Sequence, residues 1–279
     1  MADPLITYPA GNVHERARVL AVRVRGDVAD VVVDRTPCHP ESPRWPDQPA
    51  DAIAVTVGGE TVQATCSEGA LQDGAIVDAD GAAEGAVACV VHHVPAASAP
   101  AVGDEIELRV DEARRAALSR AHSVCHFGAL ALNRALAAAG AWRKDPGRAD
   151  SLGTVDFDAL AMERSTIAAD GSVDEYRAGK SLRKKGFVPA ALADPEALRD
   201  AVRADLEAWL GASPAIALEP GACALADRRR WSSTAGDAAV AFACGGTHPR
   251  ALGPDDVPDV QIDADPDAGT LTMRLRAAA

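Results

Sequence analysis

The sequence predicts an α+β protein in which a small N-terminal β-barrel precedes a zinc-binding α+β domain. Three observations lead to this prediction. Short strand patterns separated by glycine turns fill the first 110 residues, and the period then changes to that of a long helix. Two pairs of metal-type side chains follow, each pair spaced four residues apart. We therefore expect a barrel domain at 1–110 and a zinc-binding domain at 111–279.

The N-terminal elements are predicted to be short strands. Residues 18–25 alternate between apolar and polar side chains, Gly26 and Asp27 offer a turn, and 28–33 continues as a second strand. Further strand patterns run over 52–57, 60–65, 87–94 and 104–110. Short strands at this spacing, with few helix signals between them, are typical of a small barrel.

Helical patterns begin at Asp111, which is placed to cap an Ala/Leu-rich helix over 112–139 that ends at Gly140. Asp194-Pro195-Glu196 starts a second helix that stops near Gly211. Two short strands are predicted in the polar stretch between them, over 155–158 and 164–167. Strands over 239–243, 260–262 and 270–275 complete the C-terminal domain, which is therefore α+β.

The two spaced pairs predict a metal site. His122 and His126 are four residues apart on the predicted helix, so their side chains share one face about 5–6 Å apart. Cys244 and His248 flank a Gly-Gly-Thr loop that follows a predicted strand. Three imidazoles and one thiolate suit tetrahedral Zn²⁺. The alternative is a cysteine and histidine core cluster that binds no metal.

The role of the zinc stays open at this point. Four protein ligands favour a structural ion, because catalytic sites often keep three ligands and a water. However, the ligands come from two distant segments without a CxxC knuckle, and a chain of 279 residues does not need a metal to stabilise its core. A catalytic ion would lower the pKa of a bound water or polarise a carbonyl group.

Composition narrows the class of protein. Hydrophobic residues make up 48% and charged residues 25%, as in ordinary globular proteins, and no apolar run approaches the ~20 residues of a membrane helix. The N-terminus lacks the features of a signal peptide, so we expect a cytoplasmic protein. Six cysteines in a cytosolic chain of this length do not predict a disulfide scaffold. Cys66, Cys89 and Cys223 are predicted to be small buried residues.

The formal net charge of −13 argues against a broad basic surface for nucleic acid, and we expect no DNA partner. Two local basic clusters remain. Lys180, Arg183, Lys184 and Lys185 form the first, and Arg228-Arg229-Arg230-Trp231 is the second. Each is either a solvated loop or a set of phosphate contacts.

A polar segment in the N-terminal half is a further candidate site. It runs from Asp34 (Asp-Arg-Thr-Pro-Cys-His-Pro) to Glu41 and Ser42, and is followed by Gln48-Pro-Ala-Asp51. The segment is either an irregular proline-rich loop or a set of groups that hydrogen-bond a small polar substrate. His92 and His93 have no spaced partner and are predicted to be ordinary strand residues.

The order of these motifs resembles the editing domains of alanyl-tRNA synthetases, and especially their free-standing AlaX-type trans-editing relatives. The resemblance implies an N-terminal barrel and a zinc-binding editing domain of the second-additional-domain type found in threonyl- and alanyl-tRNA synthetases. It implies that Zn²⁺ is held by His122, His126, Cys244 and His248. It also implies hydrolysis of the ester between a wrong amino acid and the terminal ribose of tRNA. Thr36 matches a threonine that faces the substrate side chain, and Gln48 matches the glutamine of the family motif.

The chain also departs from the family pattern. Cys38 and His39 occupy positions that are usually aromatic, and a proline-rich loop at 40–49 replaces a run of glycines before Gln48. The segment at 144–193 is elaborated. We therefore expect a modified specificity for a hydroxy amino acid, either serine or a threonine-type analogue such as fluorothreonine. A site that hydrogen-bonds a hydroxyl can reject the analogue lacking it by about 10⁴-fold.

The main hypothesis is a zinc-dependent aminoacyl-tRNA deacylase that acts in trans. Thr36 and Gln48 are its predicted catalytic residues, and its predicted contacts to substrate or tRNA are Asp34, Cys38, His39, Lys184, Lys185 and Arg229. One alternative is a non-catalytic, zinc-stabilised tRNA-binding module, against which the acidic net charge counts. The other is a metallohydrolase of a free small ester or amide.

Overall fold

The structure, a computed structural model, describes residues 3–43 and 46–277. Arg44 and Trp45 of the proline-rich loop lie outside the described residues. The chain divides into two compact units. The first comprises 1–116, 218–230 and 243–247, and the second comprises 117–217, 231–242 and 248–279. Within the described ranges no helix is both long and apolar enough to cross a membrane.

A closed six-stranded barrel forms most of the first unit. The strands of the described N-terminal part are β1 (Leu5–Ile6), β2 (His14–Arg25), β3 (Val28–Val33), β4 (Arg35–Thr36), β5 (Ile53–Val57), β6 (Glu60–Gln72), β7 (Ala75–Asp78), β8 (Val87–Pro95) and β9 (Glu105–Val110). The strands follow the order β5-β9-β2-β3-β8-β6, and antiparallel pairing of β5 with β6 closes the ring. The predicted N-terminal barrel is confirmed. β6 continues beyond the predicted 60–65 and pairs with β7, which the pattern did not predict.

The barrel is filled by the inward-facing residues of its alternating strands. Val19, Val31, Val55 and Leu108 are all at most 1% exposed and belong to one continuous apolar core. Burying each such side chain contributes roughly 1.5–3 kcal/mol to folding. Cys66, Cys89 and Cys223 are buried, as predicted, and all six cysteines are free thiols.

The second unit contains most of the helices. The remaining elements of the described chain are α1 (Glu112–Ala138), α2 (Phe157–Ala161), β10 (Met162–Ala168), β11 (Gly171–Arg177), α3 (Lys180–Lys184), α4 (Pro195–Gly211), β12 (Ala217–Glu219), β13 (Cys223–Ala224), β14 (Arg230–Ala235), β15 (Ala238–Ala243), β16 (Asp259–Asp265) and β17 (Thr270–Arg276). An antiparallel sheet has the order β10-β11-β17-β16. Two three-stranded sheets have the orders β13-β1-β4 and β12-β14-β15. The predicted α+β class is confirmed.

The predicted strand over 155–158 is wrong. The Asp156 carboxylate accepts a hydrogen bond from the Ala159 amide at 3.1 Å and so caps α2, which begins at Phe157. Val155 makes only an isolated bridge with Ala149. The strand over 164–167 is confirmed within β10. Its partner β11 escaped prediction because polar and acidic residues fill its sequence.

Helix α1 is close to its predicted bounds and packs tightly against the four-stranded sheet. A Cβ atom at Gly128 would lie 2.4 Å from Leu275 Cδ1 of β17, so a larger residue there would force the Leu275 side chain to move. α4 also follows its prediction, with Leu198, Val202 and Leu206 buried. A long helix fixed by close packing is a rigid support for the histidines that it carries.

Candidate metal centre

Helix α1 brings His122 and His126 to one face. Its first turn is capped as predicted, because the Asp111 carboxylate accepts a hydrogen bond from the Arg114 amide at 3.0 Å. The ring centroids of His122 and His126 are 4.8 Å apart, as expected for i and i+4 on a helix. The His248 ring lies 4.6 Å from His122 and 5.2 Å from His126 between centroids.

Cys244 completes the group. β15 ends at Ala243, so the Cys-Gly-Gly-Thr-His segment starts directly after a strand, as predicted. One side-chain donor atom from each of His122, His126, Cys244 and His248 lies within 4.8 Å of the others. This spacing can hold a metal ion, which confirms the predicted ligand set as a possible metal site. Donors of this type suit Zn²⁺, although the geometry does not identify the ion.

Three further observations test whether these residues fit a metal. Burial and the neighbouring His122 hold the pKa of His126 well below its usual value, so its imidazole is neutral, as a ligand must be. The Ser123 hydroxyl lies 2.8 Å from His248 Nδ1, which leaves Nε2 of that ring for the donor group. Trp231 and Phe242 pack against the His126 ring at centroid distances of 5.0 Å. The residues fit a bound metal.

The two cysteines near the site differ in role. Burial raises the pKa of the Cys244 thiol to about 12, so metal binding has to displace a proton from it. Cys125 adjoins His126 in the sequence but is not part of the group. Its thiol lies 3.5 Å from a carboxylate oxygen of Asp174, because consecutive residues of a helix are turned by about 100° and Cys125 therefore points in a different direction from His126.

Residues of the first unit hold the backbone after Cys244. Gln48 is 1% exposed, and its amide makes two bonds to Thr247: Nε2 donates to Oγ1 at 2.9 Å, and Oε1 accepts from the backbone amide at 3.0 Å. The Gly245 carbonyl accepts from the Tyr8 hydroxyl at 3.1 Å and from Arg229 Nη2 at 3.4 Å. Gln48 therefore positions the loop, and its catalytic role stays a prediction.

Thr36 lies in a buried hydrogen-bond chain. His92 Nδ1 lies 3.1 Å from the Val31 carbonyl, which only accepts, so this nitrogen carries the proton. His92 Nε2 then accepts from the Thr36 hydroxyl at 2.9 Å, and the Thr36 oxygen accepts from the Cys38 amide at 3.1 Å. The Thr36 hydroxyl therefore already donates its proton to His92. Contact of Thr36 with a substrate stays a prediction.

Cys38 is fully buried beside this chain. Burial disfavours its thiolate, but the hydrogen bond from Cys66, together with weaker polar interactions around Cys38, outweighs that effect and lowers the pKa of Cys38. The hydrogen bond to Cys38 and burial raise the pKa of the Cys66 thiol. Of the two thiols, Cys38 is therefore the more acidic.

The carboxylate of Asp51, the last residue of the Gln48-Pro-Ala-Asp51 motif, makes contacts within the protein. Arg115 of α1 forms an ion pair with both of its oxygens, and the Nε–Oδ1 distance is 2.8 Å. Asp51 Oδ2 also accepts from the His39 amide at 2.6 Å, and Arg115 Nη2 donates to the Pro37 carbonyl at 2.8 Å. Both side chains of the ion pair are buried. The pair fixes the 37–39 segment, so Asp51 is not available to a substrate.

A cavity of about 410 Å³ opens beside Cys244 and Gly245 in the first unit. His39, Tyr8 and Arg229 contribute to its wall, and the Arg229 guanidinium lies 5.6 Å from the centroid of the Tyr8 ring. Glu68 and Asp227 add two carboxylates, and the Ser42 hydroxyl donates to Glu68 Oε2 at 2.6 Å. The cavity thus combines an aromatic wall with groups of both charges, because Arg228 and Arg229 line it together with the two carboxylates, which suits a small polar ligand.

The other residues predicted to contact substrate or tRNA differ in their exposure to solvent. Asp34 accepts a hydrogen bond from the Arg18 amide at 2.8 Å, and Arg229 is 8% exposed, whereas Lys184 and Lys185 are exposed. Sequence reasoning missed Tyr8, Glu68, Ser123 and Arg115. Ser123 lies inside the His122–His126 motif and could have been noticed there. Tyr8 and Glu68 carry no local signal, because distant pairing alone brings them to the cavity.

A scan against models of known protein families gives no match to this chain, and a comparison with curated protein sequences gives none either.

Proposed function

We propose that this protein is a zinc-dependent aminoacyl-tRNA deacylase that hydrolyses mischarged tRNA in trans. The observation that carries the proposal is the group of three imidazoles and one thiolate whose donor atoms lie within 4.8 Å of one another. The order of the Asp34, Gln48, His122 and Cys244 motifs supports it, because the trans-editing proteins that the chain resembles share this order.

A bound Zn²⁺ would supply Lewis acidity and a lowered pKa for a coordinated water. The protein groups supply positioning. The aminoacyl ester is already activated, so orientation of a water and hydrogen bonds to the developing oxyanion contribute most of what the reaction needs. Gln48 holds the Thr247 backbone, and the bonds to the Gly245 carbonyl hold the part of the loop next to Cys244.

The cavity beside Cys244 supports an amino acid as the group that is bound. The Glu68 and Asp227 carboxylates offer partners for an α-ammonium group beside the Arg228 and Arg229 guanidinium groups, and a volume of about 410 Å³ accommodates an aminoacyl ester. We propose a hydroxy amino acid, either serine or a threonine-type analogue such as fluorothreonine. Such discrimination requires a hydrogen bond to the substrate hydroxyl, since an apolar pocket does not strongly exclude an added hydroxyl.

The direct test is a deacylation assay with tRNAs charged with serine, threonine, alanine and fluorothreonine. We expect metal-loaded protein to release a hydroxy amino acid at least about 100-fold faster than alanine, because a site that hydrogen-bonds the substrate hydroxyl can reject the analogue lacking it by about 10⁴-fold. Catalytically inert protein with a full complement of metal would overturn the proposal.

The same assay separates the two alternatives. A non-catalytic tRNA-binding module would bind uncharged tRNA but release no amino acid. A metallohydrolase of small esters would cleave an amino acid methyl ester as efficiently as the charged tRNA. The proposed function requires that attachment to tRNA raises kcat/KM.

A further inference from the structure

All four lysines of the chain belong to one small region. They are Lys144, Lys180, Lys184 and Lys185, whereas the 24 arginines are spread along the whole sequence. No acidic residue occurs between Glu175 and Asp194, although the chain contains 41 acidic residues and has a net charge of −13. A basic segment in so acidic a protein indicates local selection for positive charge.

The fold joins two basic segments that are distant in sequence. Trp142 and Phe187 form an antiparallel bridge, and the Arg143 amide donates to the Gly186 carbonyl at 2.9 Å. Arg143, Lys144, Arg183, Lys184 and Gly186 line one open groove of about 600 Å³. Lys180 and Lys185 are exposed next to it along the chain. We call this surface the lysine groove.

Gly186 makes the close approach possible. Its φ is +113°, and a Cβ atom there would lie 2.7 Å from Lys144 Cγ and 3.0 Å from the Lys144 carbonyl oxygen. A larger residue would push the two basic segments apart. The backbone therefore brings like charges together where ordinary surface design would separate them.

The cations of the lysine groove are not neutralised within the described part of the chain. No ion pair there involves Arg143, Arg183 or the lysines, although twelve arginines elsewhere in it are paired with carboxylates. Arg183 donates only to the backbone carbonyls of Ala178 and Asp267. The acidic side chain nearest in sequence to Lys144, that of Asp145, accepts from the Gly147 amide. Unpaired like charges held together are stabilised by an external polyanion.

We propose that the lysine groove binds the phosphate backbone of RNA. The lysine ammonium is a compact point charge that contacts phosphates without reading bases, which suits docking of a tRNA body. The identification of the anion as tRNA rests on the proposed function. The presence of a phosphate-binding surface does not.

The test compares two variants that remove the same charge. Lys144→Gln/Lys184→Gln/Lys185→Gln alters the groove, and Arg16→Gln/Arg18→Gln/Arg164→Gln removes three exposed cations elsewhere. Binding of labelled, uncharged tRNA is titrated at several salt concentrations. For the groove variant we expect affinity to fall at least 10-fold at low salt, and the slope of log K against log salt to decrease by two to three, about one per lost phosphate contact. The control variant should bind like the wild-type protein.

Two outcomes overturn the inference: equal binding by the two variants, or binding of anionic phospholipid vesicles without binding of tRNA. The deacylase proposal is judged separately. If charged tRNA is hydrolysed at a rate that the groove substitutions do not change, the inference about the lysine groove is wrong and the deacylase proposal stands. If tRNA binding depends on the groove but no amino acid is released, the deacylase proposal is wrong and the inference about the lysine groove stands.

Discussion

The histidines of the barrel strand β8 differ from those of the candidate metal centre in what their ring nitrogens contact. His92 and His93 are consecutive on β8, and the protein contacts both nitrogens of each ring. His92 contacts Val31 and Thr36, and His93 contacts Asp30 at 2.9 Å and Ser67 at 2.8 Å. The donor atoms of His122, His126 and His248 instead converge with that of Cys244. A histidine serves structure when protein groups satisfy both nitrogens, and it can serve a metal when several rings face one point.

The largest effect is expected from substitution of the converging histidines. His126→Gln should remove bound metal and lower deacylation by about 10³-fold or more, because metal stabilisation of a transition state is worth several kcal/mol. His93→Gln should retain metal and lose only stability. Metal content and initial rates of both purified variants test the contrast. Full metal occupancy in His126→Gln would contradict it.

The buried ion pair of Asp51 should dominate the stability of the first unit. Asp51→Ala leaves the Arg115 charge buried and unpaired, so we expect a loss of 3–5 kcal/mol in the free energy of unfolding. The matched control is Glu207→Ala, which breaks the exposed pair with Arg203 and should leave the free energy of unfolding nearly unchanged, because solvent screens that pair. Urea denaturation measures both. A loss below 1 kcal/mol in Asp51→Ala would show that the pair is not structural.

Two aspartates extend the comparison to pH. Burial opposes ionisation of Asp30, but hydrogen bonds from Arg25, Arg23 and His93 lower its pKa, so it stabilises the fold at neutral pH and loses this effect in acid. Burial is the main reason why the pKa of Asp158 is raised to about 7. The hydrogen bond from Tyr176 opposes this shift, and the neighbouring carboxylates of Asp174 and Asp156 add to it.

The signs of the two pH dependences are therefore opposite. The contribution of Asp158 is greatest below the pKa of an unfolded aspartate and is lost as the pH rises towards 7. Wild-type protein should lose about 2–3 kcal/mol between pH 5 and pH 7 relative to Asp158→Asn, since each pH step between the two pKa values is worth about 1.4 kcal/mol. Parallel stability curves for the two proteins would contradict the raised pKa.

The smallest effect is expected from two serines with matching geometry. Ser123 and Ser67 each place a hydroxyl 2.8 Å from a histidine ring nitrogen. Ser123→Ala should weaken metal affinity about 10- to 100-fold, because it removes the group that orients His248. Ser67→Ala should leave metal affinity unchanged. Competition with a chelator measures both affinities, and equal values would show that Ser123 does not orient a ligand.

The sequence predicted those features that depend on local pattern. The barrel strands follow from alternation, α1 from its cap and period, and the ligand group from two i, i+4 pairs. The strand predicted over 155–158 became the capped start of α2, because one Asp156 side chain outweighed a short alternating pattern. The sequence did not predict β11, because this strand is buried by its pairing with β10 and β17 rather than by an apolar composition.

The surroundings of the candidate site could not be predicted from the sequence. The sequence pattern gave His92 no partner, yet its ring accepts a hydrogen bond from the hydroxyl of Thr36, which is 56 residues away in the sequence. Gln48 looked catalytic, yet both of its amide atoms contact Thr247 across 199 positions. Such contacts depend on register and closure of distant segments, which no local spacing encodes.

We propose that the three imidazoles and one thiolate of the candidate metal centre bind one metal ion. The most direct measurement is Co²⁺ titration of metal-free protein, followed by absorption spectroscopy of the wild type and Cys244→Ser. We expect saturation at one ion per chain, with a thiolate-to-cobalt charge-transfer band in the wild type that disappears in Cys244→Ser. A titration without saturable binding, or an identical spectrum in the two proteins, would contradict the claim.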